Sequence, residues 1–128
     1  MSDPLLPVTA LYAAPLALLF LVLCVRVIVV RRRKMIGFGF ADDPDLERRI
    51  RVQANFAEYA PFALLLIALA ELNGAAPLWL HVAGAMLLAG RVIHAVGVSR
   101  PGSDGIGRVL GMTGSQTAIL IAAALLVV

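Results

Sequence analysis

Apolar runs at 5–30, 78–96 and 109–128, with a half-polar segment at 44–72, cut this chain of 128 residues into four pieces, each long enough to cross a bilayer as a helix. Such a crossing takes roughly 20 residues, so four of them with their loops use up the sequence. The predicted architecture is an all-α membrane protein, one four-helix transmembrane domain over 1–128, with helices at about 5–32, 44–72, 77–97 and 107–127. Composition agrees. The chain is 61% hydrophobic and 15% charged, with a mean hydropathy of +0.93, whereas soluble domains run about 45–50% and 25%. These numbers exclude a disordered chain and argue strongly against an ordinary water-soluble domain.

Local signals set the helix ends. Asp43-Pro44 reads as an N-cap followed by proline at the first helical position. Asp45 and Glu47 then fall in the first turn, where the helix dipole favours acids. Asn73-Gly74 is a stop and turn signal. Pro15 and Pro61 lie inside predicted helices, and Pro61 separates a polar first half of the second helix from an apolar second half. Residues 35–43 form a loop in which Gly37-Phe38-Gly39-Phe40 can dip into the interface. A second loop, at 98–107, carries Pro101, Gly102, Gly105 and Gly107. Gly111, Gly114, Ser115 and Thr117 suit the last helix to close contact with a neighbour. A cleavable signal peptide does not fit the first run, which has no basic segment before it and exceeds the usual 7–15 apolar residues.

The net charge of +3 and pI near 9.8 invite a nucleic-acid reading, but the position of the charge argues against it. All eleven Lys and Arg lie at 26–51, 91, 100 and 108, around two loops on one side of a four-span chain. The positive-inside rule puts those loops in the cytoplasm and both termini outside. Cys24 stands alone in an apolar run, so it forms neither an intrachain disulfide nor a cysteine metal site; it reads as a buried inert thiol.

The candidate site residues are the polar ones that a bilayer would not tolerate without a reason. At about 100° per residue, with Arg48 as zero, Arg51 falls at roughly 300°, Asn55 at roughly 340°, Glu58 at roughly 280° and Tyr59 at roughly 20°. One face of the second helix therefore carries two cations, an amide, a carboxylate and a phenol, while Gln53 points away. Two readings stand. The stripe is either an internal network, with Glu58 bonded to Arg51 or to Arg91, or a site for a zwitterionic or anionic ligand whose carboxylates the arginines hold. On the third helix, Arg91 and His94 share a face at i and i+3. Arg91 either snorkels to the cytoplasmic interface or pairs with Glu58 or a ligand. His94 reads more readily as a structural histidine than as a metal ligand, and His81 falls at the opposite interface. Arg108 is either one more cytoplasmic anchor or a cation that lowers the pKa of a nearby thiol. No catalytic triad, carboxylate pair, zinc motif or phosphate loop stands out, so any chemistry rests on a ligand that brings its own nucleophile or on a cofactor.

The segment Glu47-Arg48-Arg49-Ile50-Arg51-Val52-Gln53-Ala54-Asn55-Phe56-Ala57-Glu58-Tyr59-Ala60-Pro61 resembles the signature of the MAPEG family, the membrane-associated proteins of eicosanoid and glutathione metabolism. That signature reads roughly E-R-x-x-R-x-x-x-N-x-x-E-x-x-P, and every fixed position matches. Ala89-Gly90-Arg91-Val92-Ile93-His94-Ala95-Val96-Gly97 is similar to the family's third-helix segment, and Arg108 with Gly111-Met112 to its fourth. The chain looks most like the small bacterial members, which implies the inner membrane. The resemblance further implies a homotrimer with glutathione, as cosubstrate, bound between subunits toward the cytoplasm. Arg51, Asn55, Glu58 and Tyr59 would bind it with help from Gln53, Arg91 and His94, and Arg108 would hold the thiolate against a lipophilic electrophile. His94 and Val98 stand where the eicosanoid synthases carry tyrosines. The expected activity is of the glutathione transferase or peroxidase type. The alternative is a non-enzymatic lipid-binding or scaffold member. A small multidrug-type transporter fits less well, because no acid lies between Asp3 and Asp42.

Overall fold

The computed structural model describes residues 4–102 and 105–128. Residues 1–3, and 103–104 of the second basic loop, lie outside them. Four helices follow in order: α1 (Pro7–Lys34), α2 (Pro44–Leu72), α3 (Pro77–Ser99) and α4 (Ile106–Val127). Each is long and apolar enough to cross a membrane.

The local chemistry at the predicted boundaries is what forms them. The Asp43 carboxylate accepts from the N–H groups of Asp45 and Leu46 at 3.1 and 3.0 Å, with Pro44 opening α2. Asn73 closes α2, and Gly74 takes the left-handed conformation, φ 79°, that starts the turn into α3. The basic run Arg31–Lys34 occupies the last turn of α1, where the dipole favours cations. Lys34 pairs with Asp43 across the loop, and Arg31 donates to Gly39 O at 2.9 Å.

The core sits between α2, α3 and α4, and α1 lies against α2 and α3 without touching α4. The buried residues of α1, Thr9, Leu16, Leu23 and Val30, recur every seventh position, the beat of a left-handed helix pairing. Its other faces present Leu11, Leu18, Leu21, Val25 and Ile28 outward, as lipid contact requires.

α3 and α4 pack closest, and glycine is why. A Cβ on Gly97 would lie 2.7 Å from the Cα of Gly107, and one on Gly111 would lie 2.5 Å from the His94 Cβ and 2.6 Å from Gly90 O. Side chains there would force the helices apart, so backbone lies on backbone over these turns.

Two contacts hold the end opposite the basic loops. Glu71 of α2 reaches the first turn of α1, and the Tyr12 hydroxyl lies 3.0 Å from His81 Nδ1 with the Tyr12 ring flat over Gly84. Cys24 is half-buried rather than fully enclosed.

Candidate functional site

At the basic end of the bundle a cleft of about 340 Å³ opens between α2, α3 and α4, a volume within the range of small-molecule sites. Pro44, Glu47, Arg48, Arg51 and Asn55 line it from α2, His94 and Val98 from α3, and Arg108 from α4. Pro44, Arg48, Arg51 and Asn55 fall on the predicted polar arc and Glu47 borders it at roughly 260°, because residues three and four apart share a helix face. The close α3–α4 packing brings Arg108 beside His94: with Gly97 on Gly107 and Gly111 on His94, the first turn of α4 runs along the third helix at this depth.

The charge of the cleft is uneven. Three arginines and one glutamate line it. None of Arg48, Arg51 and Arg108 has a side-chain hydrogen bond or ion pair with another described residue. Arg49, outside the cleft, is by contrast held by Asp45 at 3.1 Å and by Arg26 O at 3.2 Å. The cleft thus offers unpartnered cationic donors, which suits an anion with more than one carboxylate-like group.

Behind the cleft lies Arg91, at 1% exposure. It neither snorkels nor meets Glu58. Its Nη1 donates to Asn55 Oδ1 at 2.6 Å, its Nη2 donates to Gly111 O at 3.3 Å, and its guanidinium carbon lies 5.8 Å from the centre of the Tyr59 ring. His94 is buried beside it.

The sequence-predicted residues therefore separate into groups. Arg51, Asn55, His94 and Arg108 come together around the cleft. Arg91 and Tyr59 stand behind them. Glu58 is exposed and faces out of the single chain, and Gln53 is half-buried away from the cleft. Neither arm of the internal network, Glu58 with Arg51 or with Arg91, is formed among the described residues. Glu47 and Arg48 also line the cleft. Arg48 belongs to the predicted polar stripe, whereas Glu47 reads from sequence only as a first-turn acid; its place one turn before Arg51 on the same face is the signal for it. Among the described residues no cluster of His, Cys, Asp and Glu is arranged to hold a metal.

Beyond the cleft, the outward face of α2 carries Arg51 and Glu58, then Phe62, Leu65 and Leu69, all exposed. Charges on a face that a lone chain would turn to lipid are costly.

The MAPEG family model matches residues 9–128. The chain is 37% identical over 90 residues to the inner membrane protein YecN of Escherichia coli K12, an alignment that covers 70% of this chain and 69% of that protein. The YecN protein of Escherichia coli O6:H1 aligns with the same identity and coverage.

Proposed function

This chain belongs to the MAPEG family, and from that premise we propose that it is an integral-membrane glutathione-binding protein of the transferase or peroxidase-like type. The observation that carries the reading is the cleft, which Arg48, Arg51 and Arg108 line with no side-chain hydrogen bond or ion pair among the described residues. Glutathione brings two carboxylates, an ammonium and a thiol. Arg51 takes a carboxylate, and Asn55, Glu58 and Tyr59 complete the binding with Gln53 where a second copy adjoins α2. Arg108 stands over the sulfur. A cation there favours thiolate over thiol at neutral pH.

The chemistry is then brief. The thiol proton leaves to water, the thiolate attacks a lipophilic electrophile that arrives through the bilayer, a carbon–sulfur bond forms, and the leaving group departs with its electron pair. The protein supplies thiolate and orientation.

A homotrimer is the assembly proposed, since Arg51 and Glu58 face outward from one chain and need protein or water beside them. The bacterial inner membrane is the proposed location, with the basic loops cytoplasmic and both termini outside.

Val98 favours a second reading. It lines the cleft yet offers no hydrogen-bonding group to a ligand. A site that binds without turning over, in a lipid-binding or scaffold protein, is the alternative. Calorimetric titration of the purified protein with glutathione, followed by conjugation assays with a generic electrophile, separates the two. Binding with turnover supports the enzyme, binding alone supports the alternative, and no binding refutes both glutathione readings.

A further inference from the structure

Among the described residues Arg91 has the largest fully buried side chain, and no carboxylate of theirs touches it. A cation so far from water is costly without a charged partner. What it has instead is a set of neutral acceptors: Asn55 Oδ1 at 2.6 Å, Gly111 O at 3.3 Å and Met112 Sδ at 3.6 Å, with Nε left unpartnered. The shortest of these contacts goes to a residue that lines the cleft.

A guanidinium donates and cannot accept. The Asn55 atom that meets Arg91 must therefore be the amide oxygen. The amide nitrogen, with two hydrogens, is left over. It has no hydrogen-bond acceptor among the described residues, and it is not enclosed. Asn55 lines the cleft together with Arg51 and His94, and its unpartnered nitrogen is the polar group this side chain has left to offer a ligand.

We infer that Arg91 is a positioning residue for Asn55, locking its amide so that the cleft presents a donor, never an acceptor, at this point. The locked donor selects an acceptor oxygen on the ligand, a carboxylate or a peptide carbonyl, and rejects an ammonium. An asparagine free to turn over would not discriminate. The identity of the ligand rests on the glutathione reading above; the orientation of the amide is a property of the chain alone.

The sequence makes the test clean, because Asn55 and Asn73 are its two asparagines. Full-length protein labelled with 15N-asparagine, reconstituted in lipid nanodiscs, gives two side-chain amide pairs, assigned through Asn73→Ser. Without ligand, the Asn55 pair is expected to move in Arg91→Gln. In Arg91→Lys, which keeps a charged donor, it is expected to stay near its wild-type position. Added glutathione is expected to shift the Asn55 pair but not the Asn73 pair. Arg91→Gln should weaken binding about 10-fold, the worth of one well-aimed donor, and Arg91→Lys by less. Asn55→Asp pairs with Arg91 but has no N–H to give, so it should fold and bind at least as weakly as Arg91→Gln.

Asn55 signals that are the same in wild type and Arg91→Gln overturn the inference. So do signals displaced equally in the Lys and Gln variants, which would make Arg91 a packing element. Should Arg91→Gln fail to fold, Arg91→Lys and Asn55→Asp decide: an Asn55 pair displaced in Arg91→Lys, or Asn55→Asp binding as wild type does, overturns it. If glutathione shifts nothing in the wild type, the ligand reading fails while the ligand-free spectra still decide the orientation.

Discussion

The Glu71 carboxylate, one residue from the end of α2, caps the start of α1: it accepts from the N–H of Val8 at 2.8 Å and from the N–H and hydroxyl of Thr9 at 2.7 and 2.6 Å. α1 has no side-chain cap of its own, and the first N–H groups of any helix lack intrahelical partners. A negative charge from another helix meets that need and the dipole together. Glu71→Ala should destabilise the protein by about 1–2 kcal/mol. Glu71→Gln, which keeps an acceptor without the charge, should fall between. Thermal unfolding in detergent measures both; melting of Glu71→Ala at the wild-type temperature would contradict the capping role.

Arg51→Ala and Arg108→Ala should fail in different ways. Loss of a charge-assisted carboxylate contact at Arg51 removes roughly 1.5–3 kcal/mol of binding, so glutathione affinity should drop on the order of 10- to 100-fold. Arg108→Ala should bind nearly as well, but the bound thiol should ionise at higher pH. The ultraviolet absorbance of the thiolate, followed against pH, reads this directly. An identical titration in wild type and Arg108→Ala takes Arg108 out of the mechanism.

Gly111→Ala should loosen the α3–α4 contact. The added methyl meets the His94 Cβ and the Gly90 carbonyl at 2.5 and 2.6 Å, and neither yields without moving a helix. Overpacking of this kind costs about 1–3 kcal/mol. A lower melting temperature is expected, together with weaker glutathione binding, since His94 and Arg108 line the cleft from the two displaced helices. Gly37→Ala, in an open loop with nothing near its Cβ, is the control. A Gly111→Ala protein as stable as that control would refute the close packing.

Three chains per particle are expected from native mass measurement in mild detergents. Charge inversion at Glu58, as Glu58→Lys, should shift the population toward single chains, because Glu58 is exposed on the outward face of α2. A particle of one chain across several mild detergents would remove the assembly proposed here.

Acid should loosen the 35–43 loop. The Lys34 ammonium bonded to Asp43, aided by the backbone N–H of Leu46, holds the Asp43 carboxyl below its ordinary 3.8. A carboxyl whose folded pKa is depressed contributes stability above its unfolded pKa and loses it as pH falls through the folded one. The loop should thus exchange its amides independently of pH-driven opening near neutrality and open increasingly below about pH 4. Hydrogen exchange over residues 36–42, corrected for intrinsic rates, tests it. Lys34→Met should weaken the dependence, and tightening of the loop in acid would reverse the sign and refute it.

What sequence could reveal here was whatever depends on near neighbours. The ends of α2 came from Asp43-Pro44 and Asn73-Gly74, each a signal within a few residues, and the polar arc came from helical periodicity alone. Contacts between distant residues were another matter. Val8 and Glu71 lie 63 positions apart, and nothing local to either announces a cap. Arg91 could be placed on a face with His94, but which α2 residue it meets depends on how α3 is rotated. Asn55, not Glu58, receives it. Likewise Gly111 and Gly114 of α4 suggested close approach to a neighbour, while the pairing of Gly97 with Gly107 and of Gly111 with His94 required the crossing itself.

The seven-residue beat of α1 bears on how this chain can change over generations. Thr9, Leu16, Leu23 and Val30 are its buried positions. Selection on shape therefore falls hardest on about one site in seven, while at Leu11, Leu18, Leu21, Val25 and Ile28 it asks only that the side chain dissolve in hydrocarbon. Leu, Ile, Val and Phe meet that demand about equally well at those sites. The first helix of two distant homologues can then lose nearly all letter-by-letter likeness and still rest on its neighbours through the same four contacts.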